Sequence, residues 1–116
     1  MHEPSPLPTL LKISLVPDAP YLFLDLGGEL DLSGVGEVPM HAYAERRDIT
    51  TVLVDLGELT FCDATGLRTL LSFQRAQEEL GRTVSVVRAS PLVWRLMRIC
   101  GLTERLEFAP QLDTAV

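Results

Sequence analysis

Apolar and polar positions along this chain alternate, run together or recur at helical spacing in an order that predicts an architecture. Residues 11–16 (LKISLV) set Leu, Ile and Leu against Lys and Ser, the period-two pattern of a strand with one buried face. Pro17, Asp18, Ala19 and Pro20 make a turn, and residues 21–26 (YLFLDL) form a second strand rich in β-formers. So short a connection makes the two strands an antiparallel hairpin. Gly27 and Gly28 end the second strand. Asp31 or Ser33 can then cap a helix. Gly34, Gly36 and Pro39 oppose it, so regular helix is expected only over 39–47, with Val38, Ala42 and Ile49 as core contacts. Residues 51–56 (TVLVDL) are nearly all apolar apart from Asp55, as in a central strand covered on both faces.

A short connection leads into residues 61–71 (FCDATGLRTLL), the stretch around which the rest is arranged. Asp63, Ala64, Thr65 and Gly66 fall where a helix begins, and that helix is expected to run to about Leu80. Its apolar arc is Leu67, Leu70, Leu71, Phe73, Ala76 and Leu80, and Arg68, Ser72, Arg75 and Glu79 form the opposite polar stripe. Gly81 stands where a C-terminal cap glycine belongs. Residues 83–87 (TVSVV) make a fourth strand, after which Ser90 and Pro91 are N-cap and first helical residue. Leu92, Val93, Leu96, Met97 and Cys100 share one face of that helix, Trp94, Arg95 and Arg98 the other, and Gly101 ends it. Residues 102–108 supply a short final strand. The expected fold is α/β, a mixed sheet of four or five strands opening on an antiparallel hairpin, with helices packed against it. Residues 1–10, with three prolines, read as a flexible lead-in, 11–109 as one domain and 110–116 as a tail.

Size and charge narrow the picture. A chain of 116 residues is one domain, able to bury about two-thirds of its unfolded surface. A net charge of −6 argues against nucleic acid as partner, since phosphate contacts need clustered Lys and Arg. No apolar run approaches the roughly 20 residues that span a bilayer, so no membrane insertion is expected. The opening MHEPSPLPTL lacks the basic and apolar regions of a secretory signal, and a cytoplasmic location is expected. Cys62 and Cys100 then read as reduced, buried residues. With His2 and His41 as the only histidines, no metal site is expected. The sequence has no GxxxxGK[ST], no GxGxxG after a strand and no GxSxG, and no cofactor or enzymatic activity is expected.

The chemistry concentrates at the strand-to-helix junction. Backbone N–H groups unpaired in the first helical turn can bind an anion, receive a phosphoryl group or meet a partner. Asp63 also has a purely structural role open to it, as an N-cap contributing on the order of 1 kcal/mol. Gly66 costs the helix about 1 kcal/mol relative to Ala, which implies close approach by a partner or by the loop after Gly28. Cys62 is either a thiol activated at a helix N-terminus or a buried structural residue. A catalytic triad would require His41 to reach the junction. Trp94 beside Arg95 and Arg98 is a second candidate contact surface, or a packing site for the tail.

Three blocks, GELDLS at 28–33, TVLVDLGELTFCDATGLRTLL at 51–71 and RASPLVWRLMRICGLTERLEF at 88–108, resemble the STAS-domain family in its single-domain form. That form is the anti-sigma factor antagonist, or anti-anti-sigma factor. The middle block is similar to the family's D-S-[ST]-G-[LI] switch after a buried strand. The resemblance implies partner switching, in which the antagonist binds an anti-sigma factor serine/threonine kinase of ATP-binding fold and frees its sigma factor. In the family the partner phosphorylates a Ser at the start of this helix, and the added charge and bulk release it. Here that position is Ala64, which has no hydroxyl, and Thr65 is the one hydroxyl within the motif. The resemblance assigns Asp31, Asp63, Ala64, Thr65, Gly66 and Leu67 to partner binding, with Thr65 as an alternative phosphorylation site. The loss of the serine also fits a second expectation, a STAS sensor or transporter-associated subunit that needs no phospho-switch.

Overall fold

The alternation read from 11–26 is the outer half of a five-stranded sheet in a computed structural model that describes residues 10–99, 101 and 107–108. In chain order the elements are β1 (Leu11–Asp18), β2 (Tyr21–Leu30), a single 3-10 turn (Val35–Glu37), β3 (Thr51–Cys62), α1 (Ala64–Glu79), β4 (Thr83–Ala89), α2 (Pro91–Ile99) and β5 (Glu107–Phe108). The strands lie side by side in sequence order; β1 runs antiparallel to β2, and every later neighbour is parallel. Parallel neighbours require crossovers. Helices α1 and α2 make two of them, so the α/β fold with an antiparallel opening hairpin stands.

The core lies on one face of the sheet. Leu22, Leu24 and Leu26 of β2 and Val52, Val54 and Leu56 of β3 join Val84 and Val86 of β4 in one buried cluster. Helix α1 adds Leu67, Leu70 and Phe73 to it, and α2 adds Val93 and Met97. The predicted polar stripe of α1, Arg68, Ser72, Arg75 and Glu79, is exposed throughout. Val38 and Ile49 are buried and Ala42 packs against the cluster, as expected.

Four expectations need correction. Residues 57–60, expected as a connection, continue β3, which runs on to Cys62, because β2 also runs on through Gly27–Gly28 and pairs with this half of β3 across two register shifts. The glycines that read as a strand end mark an irregularity inside it. Among the described residues β3 is covered on one face only, since Thr51, Leu53 and Asp55 are half-buried with no described element above them. In α2, Leu92 is 48% exposed although its spacing placed it in the buried arc, where Val93 and Met97 are 0% exposed and Leu96 is half-buried. Cys100, residues 102–106, 1–9 and 109–116 lie outside the described residues, so the expected domain limits and most of the last strand do too.

The helix expected over 39–47 does not form; the segment is a series of turns. Ala42 N donates to Pro39 O (3.3 Å), Arg46 N donates to Tyr43 O (3.0 Å), and Tyr43 sits at φ 52. What holds these turns is a buried polar clamp. Gln77, 0% exposed on α1, donates Nε2 to Met40 O at 2.7 Å. Arg82, 3% exposed, donates to Ala42 O (2.8 Å), Tyr43 O, Arg46 O (3.2 Å) and Gln77 Oε1 (2.7 Å). Carbonyls that a helix would have paired internally are satisfied from outside the segment. Burial, then the like charge of Arg46, lowers the Arg82 pKa against the pull of Asp48 and Glu45.

The uncovered face carries a row of in-register partners, Ser14, Asp25, Asp55 and Arg88. Partial burial, then the Asp55 carboxylate across the strand, raises the Asp25 pKa above the usual carboxylate value, with Arg88 opposing. A raised carboxylate stabilises the fold while protonated and loses that contribution as pH rises through its folded pKa. Asp25→Asn is therefore expected to melt higher than the native chain at neutral pH. The gap should close as pH falls through the carboxylate range, as read in paired thermal melts.

Candidate functional site

The junction of β3 and α1 is built by hydrogen bonds that close three chain segments on one another. Asp63 has extended backbone (φ −103, ψ −174) and its Oδ1 accepts from Gly66 N at 2.8 Å, so it is the N-cap of α1. Asp63 O accepts from Leu67 N at 2.9 Å and Asp63 N donates to Leu30 O at 3.4 Å. That last bond seats the end of β2 beside the start of α1. Asp31 follows Leu30 directly, and its Oδ1 accepts from Ser33 N (3.0 Å) and Ser33 Oγ (2.7 Å). The turn so formed ends the strand and brings a second carboxylate to the helix N-terminus.

The six residues assigned from sequence divide into a surface and its support. Ala64 is exposed at the first helical position, and Asp31, Asp63 and Thr65 are half-buried. The Thr65 hydroxyl has no hydrogen bond among the described residues, while its carbonyl accepts from Thr69 Oγ1 at 2.9 Å. Gly66 and Leu67 are buried, with Leu67 at 4% exposure in the core. The close approach implied by Gly66 comes from inside the fold. A Cβ there would overlap Leu30 O and lie 2.9 Å from Cys62 Sγ. The strand end, not an outside partner, accounts for the glycine. Gly66→Ala is expected to destabilise by about 1–3 kcal/mol through overpacking, despite a helix-propensity gain of about 1 kcal/mol. Urea denaturation against Thr65→Ala as the mild comparator checks it.

Two exposed apolar side chains border the junction and were not singled out from sequence. Leu32, between Asp31 and Ser33, is 75% exposed, and Phe61, pairing with Glu29, is 44% exposed. The signal for Leu32 was present, as a lone leucine between two turn-forming polar residues. Phe61 was hidden because the strand was expected to end at Leu56, whereas β3 runs on to Cys62.

Neither enzymatic arrangement considered from the sequence is assembled among the described residues. Cys62 is buried at 2% exposure and its thiol reaches Asp63 O at 3.6 Å, as a packed structural cysteine does. His41 neighbours Met40, whose carbonyl is held by Gln77, twelve residues along α1 from Thr65, or about 18 Å. No imidazole from that turn reaches Cys62 or Thr65. Among the described residues no three His, Cys, Asp or Glu side chains converge on a metal position, and no helix is long and apolar enough to cross a membrane. Trp94 is half-buried, with Arg95 and Arg98 exposed beside it. What the junction offers is a small, shaped surface at a positive helix end, framed by two carboxylates and two apolar side chains.

Residues 20–110 match a protein-family model described as Mlab, STAS domain. Among solved structures, the chain is similar to the Bacillus cell fate determinant SpoIIAA in its phosphorylated form. The match has 21% identity and a TM-score of 0.63, and covers 84% of this chain and 91% of that one. An anti-sigma factor antagonist from Mycobacterium paratuberculosis matches with 21% identity and a TM-score of 0.63, with 90% of each chain covered. An antisigma-factor antagonist STAS domain from Rhodobacter sphaeroides matches with 16% identity and a TM-score of 0.56, covering 72% of this chain and 89% of that one. At these identities the likenesses speak for the fold.

Proposed function

The chain belongs to the STAS-domain family, and from that premise we propose that it is a non-catalytic anti-sigma factor antagonist. Its partner in this reading is an ATP-binding anti-sigma factor kinase, whose sigma factor is freed when the antagonist docks. The docking surface is Asp31, Asp63, Ala64 and Thr65, supported from below by Gly66 and Leu67, with Leu32 and Phe61 as apolar border. One observation carries the reading: Ala64 is exposed at the first position of α1, directly behind the N-cap Asp63. A methyl group at that point is compatible with close docking, where a phosphoryl group would add roughly −1.5 to −2 charge and bulk. The phospho-switch is therefore absent, and the antagonist is constitutive.

The same alanine favours a second reading, a STAS sensor or transporter-associated subunit that needs no hydroxyl there. Incubation with the cognate kinase, with and without ATP, followed by size exclusion and intact-mass measurement separates the two. The first reading predicts a complex in both conditions and an unchanged mass. A single phosphate on Thr65 would show that the switch has moved by one residue. No complex in either condition sinks the first reading, and co-purification with membrane components would then support the second.

A further inference from the structure

On the face of the sheet that no described element covers, remote from the core-facing helices, lies a groove of about 330 Å³ lined by Lys12, Ser14, Asp25, Asp55, Glu58 and Arg88, with backbone of Gly27 and Gly28. We propose that this groove binds a small zwitterion of the amino-acid class, its ammonium on Asp25 and its carboxylate on Lys12. The inference is independent of the anti-sigma reading.

The charges inside the groove fall into two groups. Arg88 is committed, with Nε 3.1 Å from Asp55 Oδ1 and Nη2 3.6 Å from Glu58 Oε2. Asp55 Oδ1 also accepts from Gly57 N at 2.7 Å, so that carboxylate is held by two donors. Gly57 is what admits the guanidinium, since a Cβ there would overlap Arg88 Nε and lie 2.9 Å from Nη2. Asp25 and Lys12 are the remainder. Neither side chain has a hydrogen bond or ion pair among the described residues, although each stands in the same groove as its opposite charge. Register explains this. Lys12 lies opposite Gly27 and Asp25 opposite Ser14, so the two are diagonal neighbours on β1 and β2.

One ligand with a cation and an anion a few bonds apart satisfies both. The Asp25 carboxylate, forced beside Asp55 by the in-register pairing of β2 and β3, gains most from an ammonium. The volume is at the small end of ligand sites, which suits a single amino acid. A lone cation would leave Lys12 unmet, and a lone anion would meet the groove's three carboxylates. In the absence of ligand, Lys12 swinging onto Asp25 is the competing arrangement.

The test is a ¹H–¹⁵N NMR titration of the full chain with each proteinogenic amino acid at millimolar concentration. Ethylamine, acetate and sodium chloride at matched ionic strength serve as controls. At least one amino acid is expected to give saturable shifts confined to residues 12–14, 25–28, 55–58 and 88. Asp25→Asn and Lys12→Ala should each weaken that binding at least tenfold. Asp25→Asn is expected to fold at least as well as the native chain, so its loss of binding cannot be unfolding. The proposal is overturned if no amino acid shifts these residues beyond the salt control. It is overturned equally if ethylamine binds as well as the best amino acid, or if both variants bind undiminished.

Discussion

Arg82→Ala is expected to cost the fold about 3 kcal/mol, the loss associated with stripping donors from several buried acceptors at once. In the native chain Arg82 serves Ala42 O, Tyr43 O, Arg46 O and Gln77 Oε1, and it is 3% exposed. The variant leaves those oxygens without a donor and opens a cavity beneath the 39–48 turns. Its Nε has no partner among the described residues, so part of the clamp's value is already spent on desolvation. That is why the expected loss is below the sum of four separate bonds. Arg82→Lys should recover under half of it, because an ammonium cannot reproduce the planar fork. The guanidinium stays charged even with its lowered pKa, so the loss should be flat between pH 5 and pH 9. Chemical denaturation measures it, and a loss below about 1 kcal/mol would mean that the turns hold themselves.

The second large effect is on binding. Ala64→Glu is expected to weaken the proposed complex with an anti-sigma factor at least about 100-fold, equivalent to roughly 3 kcal/mol. The carboxylate would be buried without a partner at the docking point. Stability should change little or rise slightly, since an acid in the first turn of α1 suits the helix dipole. That divergence distinguishes a docking defect from misfolding. Ala64→Ser makes the complementary case. It is expected to keep the unmodified affinity, to accept one phosphate from the kinase and ATP, and then to dissociate. Intact-mass measurement with calorimetry before and after ATP reads both halves. A serine variant that stays unmodified would mean that more than the hydroxyl has been lost.

The strands and both helix starts were legible because each was signalled by two agreeing features. Alternation in 11–26 agreed with the turn residues between the strands, and Ser90–Pro91 agreed with the apolar spacing that followed. Asp63 was legible as a cap, and the structure keeps it in that role. Glycines misled where they stood inside elements. Gly27, Gly28 and Gly57 concealed the outer halves of β2 and β3, where they permit irregular pairing and the approach of Arg88. Gly66 signalled close approach correctly; of the two sources open from sequence, a partner or the segment after Gly28, it is Leu30 of that segment, with Cys62, that approaches.

Arg82 and Gln77 were invisible for a different reason. A charged residue after a helix-ending glycine and a glutamine late in a helix both read as solvated surface. Their burial depends on the turns at 39–48, which local pattern had assigned to a helix. The uncovered face was missed because the nearly apolar run at 51–56 fits a doubly covered strand as well as a singly covered one. At the site, the exposed methyl of Ala64 follows from its place after the cap. Leu32 and Phe61 emerge only once β2 and β3 are extended to full length.

We propose that this STAS domain docks through the start of α1 without a phosphate switch. Calorimetric titration of the native chain into its ATP-binding anti-sigma factor, in parallel with and without ATP, tests it most directly. One affinity in both titrations, and an unmodified chain recovered from each, is the expected result. It is contradicted by the absence of any binding, or by binding that ATP abolishes with phosphate found on the chain.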